Sequence, residues 1–147
     1  MEKTGKFRKK AREILFRVLY SYDLKGGDIF EIVEEQIKEI RNKLSPEVIE
    51  YAYSIAKGIT DSIEDIDRII SENLKEWRLE RLGYPERALL RLGTYELVFS
   101  DIQDKGRVFV DILDLAKCYI DNEDTLKFIN GVLSTIHKKY NKQDVKV

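Results

Sequence analysis

Apolar residues fall at Phe7, Ala11, Ile14, Leu15, Val18, Leu19 and Tyr22, the three-and-four spacing of a single helix face, until Gly26-Gly27 stops the run. Phe30, Val33, Ile37, Ile40 and Leu44 repeat the spacing, and Asp28 with Glu31 makes a capping-box-like start for a second helix. Ser45-Pro46 then reads as a cap followed by proline at the first helical position. The stripe it opens runs through Ile49, Ala52, Ile55, Ala56, Ile59 and Ile63 and on to Leu74. The pattern leaves open whether 46–75 is one bent helix or two.

Trp77, Leu79 and Leu82 predict a short helical turn before Gly83, and Pro85 opens a helix carrying Ala88, Leu89, Leu92, Tyr95 and Phe99. Gly106 is placed in the next connection. Phe109, Ile112, Leu113, Ala116 and Ile120 define another helix, and Thr125, Phe128, Ile129, Val132, Leu133, Ile136 and Tyr140 the last. The expectation is an all-α fold of six to seven helices in one domain. It divides near Trp77 into two packed helical subdomains, about 1–75 and 76–140, followed by a flexible tail at 141–147. Each half alone, at roughly 75 residues, would be marginally stable.

Composition supports this picture. With 147 residues, 43% hydrophobic and 10% aromatic, the chain has enough apolar material for a core, and only two Pro and eight Gly argue against many short strands. One Cys and one His exclude a disulfide framework and a structural zinc site, and no cofactor is expected. No apolar run is long enough for a membrane span or a signal peptide, so the expected compartment is the cytoplasm.

The net charge of -1 conceals polarity along the chain. Lys3, Lys6, Arg8, Lys9, Lys10, Arg12 and Arg17 stand against only Glu2 and Glu13 in the first twenty residues, whereas 28–50 is acidic. Lys138, Lys139, Lys142 and Lys146 make the other end basic too. If the two ends meet in space they form one cationic patch that neutralises phosphates locally; the alternative is a solvated terminus.

No catalytic constellation is present. His137 has no sequence cue pairing it with Cys118 or a serine, and reads as structural. Cys118 reads as a small buried or half-buried hydrophobe. Glu64, Asp65 and Asp67 are too close on a helix to share a face and read as solvated. Gly26-Gly27 and Asn130-Gly131 match no phosphate-cradling motif; Gly131 reads as a place where a neighbouring helix approaches, offsetting a propensity cost of about 1 kcal/mol. What remains is cations interleaved with aromatics: Phe7 in the basic run, Tyr20 further along, and Phe128 beside Lys127. Single-stranded RNA is commonly held this way, phosphates by cations and bases by rings.

Four segments together resemble the NusB family of antitermination factors. They are Lys9-Lys10-Ala11-Arg12-Glu13 followed by Val18-Leu19-Tyr20 and Asp23; Arg87 to Leu97, reading RALLRLGTYEL; Val108 to Lys117, ending Asp-Leu-Ala-Lys; and Lys127 to Leu133, reading KFINGVL. Their order and spacing agree over nearly the whole chain. The resemblance implies two small helical bundles, no catalysis, and binding of single-stranded boxA RNA from ribosomal RNA leaders. It also implies a protein partner, NusE, which is ribosomal protein S-ten, and joint action with other Nus factors on elongating RNA polymerase.

Carried over by position, the resemblance puts Lys6, Arg8, Lys9, Lys10 and Arg12 on phosphates, with Tyr20, Asp124, Lys127 and Phe128 nearer the bases. It puts Glu80, Tyr84 and Glu86 on the NusE side, where acidic groups meet a basic protein. The N-terminal run holds more Lys than family members often do, which favours point-charge contacts over bidentate ones. Asp111 and Asp114 replace the more usual Glu, and the loop at Asp104-Lys105-Gly106 lacks a common Pro. Two alternatives come from other classes. One is an RNA-binding helper of a ribosomal RNA methyltransferase, to which NusB-like domains also occur fused; the other is a structural helical homodimer.

Overall fold

The first helix, α1 (Glu2–Lys25), ends where its sequence pattern does: Gly26 and Gly27 take φ of 77° and 104°, a left-handed conformation that side chains disfavour. The computed structural model describes the backbone of residues 2–145 except Glu76, Trp77 and Gln103, and side chains over 6–140 with the same exceptions. Helix α2 (Ile29–Ile40) is capped by Asp28, whose carboxylate accepts from the Glu31 amide at 3.1 Å. A 3-10 turn, Arg41–Lys43, closes it.

Helix α3 (Pro46–Glu72) is one uninterrupted helix, which settles the alternative left open by its long stripe. Ser45 Oγ accepts from the Val48 amide at 3.2 Å, so the Ser-Pro start works as a cap. A 3-10 turn at Leu79–Arg81 precedes α4 (Tyr84–Thr94), whose first turn holds Pro85. The helical path then widens into a π-helical turn, Tyr95–Phe99. Helix α5 (Lys105–Tyr119) starts behind Asp104, which accepts from the Arg107 amide at 3.1 Å. Gly106 therefore lies in the first turn of α5, not in the connection. Helix α6 (Glu123–Val145) starts behind Asn122, whose side chain accepts from the Thr125 amide at 3.1 Å. Its backbone stays helical past Tyr140 through much of the expected tail; Lys146 and Val147 lie outside the described residues.

The chain divides into two compact units, residues 1–61 and 62–147, and the division falls inside α3, upstream of the expected break at Trp77, itself outside the described residues. In the first unit α1 lies against α2, and Ala11, Leu15, Leu19, Val33 and Ile37 are fully buried. In the second unit α4, α5 and α6 lie against one another, and Leu89, Leu92, Val108, Ile112, Ile129 and Ile136 are fully buried.

Two features of the second unit depart from the sequence expectation. Gly131 faces open space on the exposed side of α6; the close approach is at Gly93, where a Cβ would come 2.8 Å from Leu133 Cδ1 and 3.0 Å from Cδ2. Gly93 sits between Leu92 and Thr94, both fully buried, on the face of α4 that meets α6. Asp67 is no solvated carboxylate either. Its two oxygens take Arg91 Nε and a terminal guanidinium nitrogen at 2.8 and 3.0 Å, a bidentate pair in which the Arg91 side chain is only 7% exposed.

Candidate nucleic-acid and partner interface

In the first unit the basic residues follow the winding of α1. Lys6, Lys10 and Arg17 are exposed, while Arg8 and Lys9 are half-buried. The Arg8 guanidinium stands 5.8 Å from the Phe7 ring centre and 5.7 Å from that of Tyr51, and those two rings meet edge-on at 5.7 Å. Such stacking is worth about 0.5–2 kcal/mol and fixes the plane of the cation, which a lysine on a flexible stem lacks. Arg8 Nε is buried without an acceptor among the described residues. Lys10 meets Glu13 at 3.5 Å, with both side chains close to half exposed, an ion pair of little energetic weight.

Arg12 departs from the expectation. It is 2% exposed, so its guanidinium is withdrawn from the surface where a phosphate contact was expected. The cause is helical phase: positions 12, 16 and 19 share a face, and Phe16 and Leu19 are buried with it. Tyr20 keeps its ring partly in solvent, tilted against Phe16 at 6.3 Å.

In the second unit, one open groove of about 440 Å³ gathers residues expected to serve different purposes. Its α6 side is Asn122, Asp124, Thr125 and Phe128; the other side is Arg81, Leu82, Gly83 and Glu86. Asp124 and Phe128 stand one helical turn apart and so share a face. Lys127 is exposed beside the groove without lining it. The groove thus joins Glu86, expected on the protein side, with Asp124 and Phe128, expected on the RNA side. A Cβ at Gly83 would come 2.5 Å from Glu86 Oε1, the far end of a flexible side chain that can turn aside.

Glu80 is exposed and Tyr84 half-buried, and both depend on Arg87. Its guanidinium donates to the Leu82 carbonyl at 3.1 Å and the Glu80 carbonyl at 3.2 Å, and stands 5.0 Å from the Tyr84 ring centre. One side chain thereby ties the 3-10 turn at Leu79–Arg81 to the first turn of α4. Sequence reasoning placed Arg87 within a motif but assigned it no role, and passed over Arg81; contacts to carbonyl groups leave no trace in residue type.

The remaining candidates carry no constellation. His137 meets Phe109 edge-on at 5.5 Å. Burial pushes its imidazole below the usual range, and the Lys105 charge adds to this. Cys118 is exposed rather than buried, its thiol 3.6 Å from the Asp114 carbonyl. Lys138 and Lys139 are exposed on α6, while the Lys142 and Lys146 side chains lie outside those described. Among the described residues, no three His, Cys, Asp or Glu side chains are placed to hold a metal ion, and no helix is long and apolar enough to cross a membrane.

Four motifs in register and this all-helical fold narrow the ancestry, and the NusB family model matches residues 9–138. The chain belongs to the NusB family. Transcription antitermination protein NusB of Persephonella marina is 71% identical over 94% of this chain and 97% of its own. That of Aquifex aeolicus is 49% identical over 92% of this chain and 90% of its own. Among solved structures, a chain in the crystal structure of antitermination factors NusB and NusE in complex with double-stranded RNA is 44% identical. It superposes with a TM-score of 0.83, covering 92% of this chain and 98% of that one. The NusB resemblance read from the sequence is thereby established, and with it the all-α fold.

Proposed function

We propose that this NusB protein is a transcription antitermination factor without catalytic chemistry of its own. It binds the single-stranded boxA stretch of ribosomal RNA leaders together with NusE, ribosomal protein S-ten, and with other Nus factors acts on elongating RNA polymerase. The observation that carries this reading is the likeness, over nine-tenths of the chain, to a protein crystallised with NusE and RNA.

Lys6, Lys9 and Lys10 neutralise phosphates, and Arg8, held against Phe7 and Tyr51, adds an oriented donor. Tyr20 offers a partly exposed ring; Phe128, Asp124 and Lys127 meet bases at the groove. Glu80, Tyr84 and Glu86 face the basic partner, and complementary charge there speeds and orients association. Arg12 supports α1 from within.

The test is fluorescence anisotropy with boxA RNA and a scrambled control, with and without NusE, across salt concentrations. Changing Lys9 and Lys10 to Glu lowers affinity for every RNA and flattens its salt dependence, by a slope change of about 1 for each phosphate no longer neutralised. Phe128→Ala loses the preference for boxA. Variants that both bind like the parent would show that the surface is assigned wrongly.

A further inference from the structure

We infer that the outer face of α2 and the start of α3 is a second protein-docking surface, which takes an arginine-bearing basic segment of a partner other than NusE. It lies in the first unit, whereas the groups assigned to NusE lie in the second. The inference does not depend on the RNA-binding reading.

A ring pair forms the centre of this face. Phe30 was expected in the buried stripe of α2, yet it is 36% exposed, and its ring meets that of half-buried Tyr53 with centres 5.4 Å apart. The two helices are joined through residues 41–45, and Phe30 near the start of α2 meets Tyr53 two turns into α3, so they run antiparallel. Glu34, one turn after Phe30, therefore falls toward the same end of the face as Glu50, one turn before Tyr53.

Folding does not account for the charge around the rings. Every acid between 28 and 50 is exposed, and none of the glutamates among them forms an ion pair with a described residue. Glu31, Glu35 and Glu39 follow one another at four-residue intervals along α2, and like charges so spaced repel across each turn. Glu39 also stands in the last turn, where the helix dipole disfavours an anion. The chain thus carries an acidic stripe that lowers the stability of its own helix, beside aromatic surface left in water.

Charge and ring chemistry together select the occupant. The carboxylates repel the phosphates of RNA and attract a basic polypeptide. A guanidinium suits both parts of the surface, because it stacks flat on aromatic faces and forks two donors to a carboxylate, whereas an ammonium does neither so well. The same unit shows the fit: the Phe7 and Tyr51 rings, 5.7 Å apart, carry the Arg8 guanidinium at 5.8 and 5.7 Å. The Phe30 and Tyr53 pair has matching geometry and carries no cation among the described residues.

The test titrates the full chain, without RNA, with a labelled short peptide of arginines spaced by glycines and with its lysine counterpart. Fluorescence anisotropy gives about tenfold tighter binding of the arginine peptide. Amide NMR shifts move within residues 29–57 and not at 80–86. Tyr53→Ala brings the affinities for the two peptides together. Glu34→Lys combined with Glu50→Lys weakens both peptides about tenfold, and because both positions are exposed this variant folds whatever becomes of the ring variant. Glu35→Lys weakens binding while raising the melting temperature, a pairing that a merely structural acid would not give. Absence of binding by the parent, equal affinity for the two peptides, shifts centred on 80–86, or variants that bind like the parent would each overturn the inference. So would self-association of the chain that the double charge reversal abolishes, which would assign the face to a second copy.

Discussion

The same substitution, glycine to alanine, has opposite expected effects at Gly93 and Gly131. On helix propensity alone either change stabilises by about 1 kcal/mol, because glycine is the weaker helix former. At Gly131 nothing lies within 4 Å of the new Cβ, so that gain is kept. At Gly93 the methyl would meet both Leu133 methyls, at 2.8 and 3.0 Å. Leu133 is 2% exposed, so it must change rotamer inside a filled interior. Overpacking of this kind costs about 1–3 kcal/mol, leaving Gly93→Ala destabilised by about 1 kcal/mol net. For a chain of this size a contrast of about 2 kcal/mol separates the two melting temperatures by about 4–8 °C. Thermal and urea unfolding followed by circular dichroism read it directly. Trimming the obstacle gives the internal control: Gly93→Ala combined with Leu133→Ala is less damaging than the sum of the single changes, a coupling of about 1 kcal/mol. Equal stabilisation at both glycines, or strict additivity in the double variant, would refute the argument.

Other perturbations test other parts of the second unit. Asp67→Ala leaves the poorly exposed Arg91 guanidinium without its carboxylate and costs about 3 kcal/mol; Arg91→Met leaves the 31% exposed Asp67 side chain to water and costs less, so urea unfolding ranks Asp67→Ala as the worse. Arg87→Lys keeps the charge but loses the fork that serves two carbonyls, so NusE binding by calorimetry weakens several-fold while thermal stability falls by only about 1 kcal/mol; unchanged binding would count against a positioning role. Because the folded protein holds His137 below its unfolded value, the unfolded chain takes up more protons as pH falls from about 6.5 toward the folded value, and stability declines in that window. His137→Gln removes that part of the acid-side decline in melting temperature between pH 7.5 and about 5; an identical profile would rule it out.

What the sequence disclosed was local. Asp28 and Ser45-Pro46 were legible as helix starts because a cap bonds an amide three residues away. Asp124 and Phe128 were named as a pair through the family resemblance alone; that they stand on one face of the last helix belongs to the structure. What it withheld depends on residues far apart in the chain. Nothing near position 93 says that Leu133 will lie against it, and Asp67 looks like its acidic neighbours until Arg91 reaches it. Arg12 has the composition of a surface residue and the helical phase of an interior one, and phase prevailed. Phe99 was expected on the buried stripe of α4. The widened turn shifts the phase, leaving Phe99 37% exposed and Glu96 fully buried.

That turn bears on how the family tolerates changes in length. The Ser100 amide bonds the Tyr95 carbonyl at 3.0 Å, spanning five residues where an α-helix spans four. The turn therefore stores one surplus residue without breaking the helical path. Lys105 closes it by donating to the Glu96 and Ser100 carbonyls at 2.9 and 3.1 Å. A chain one residue shorter between 95 and 99 can draw the turn into ordinary α-helix and keep α4 as it is, at the expense of the lysine clasp. Single-residue gaps between relatives should accordingly be accommodated here more readily than within α4, where Gly93 and Arg91 fix the register against their neighbours.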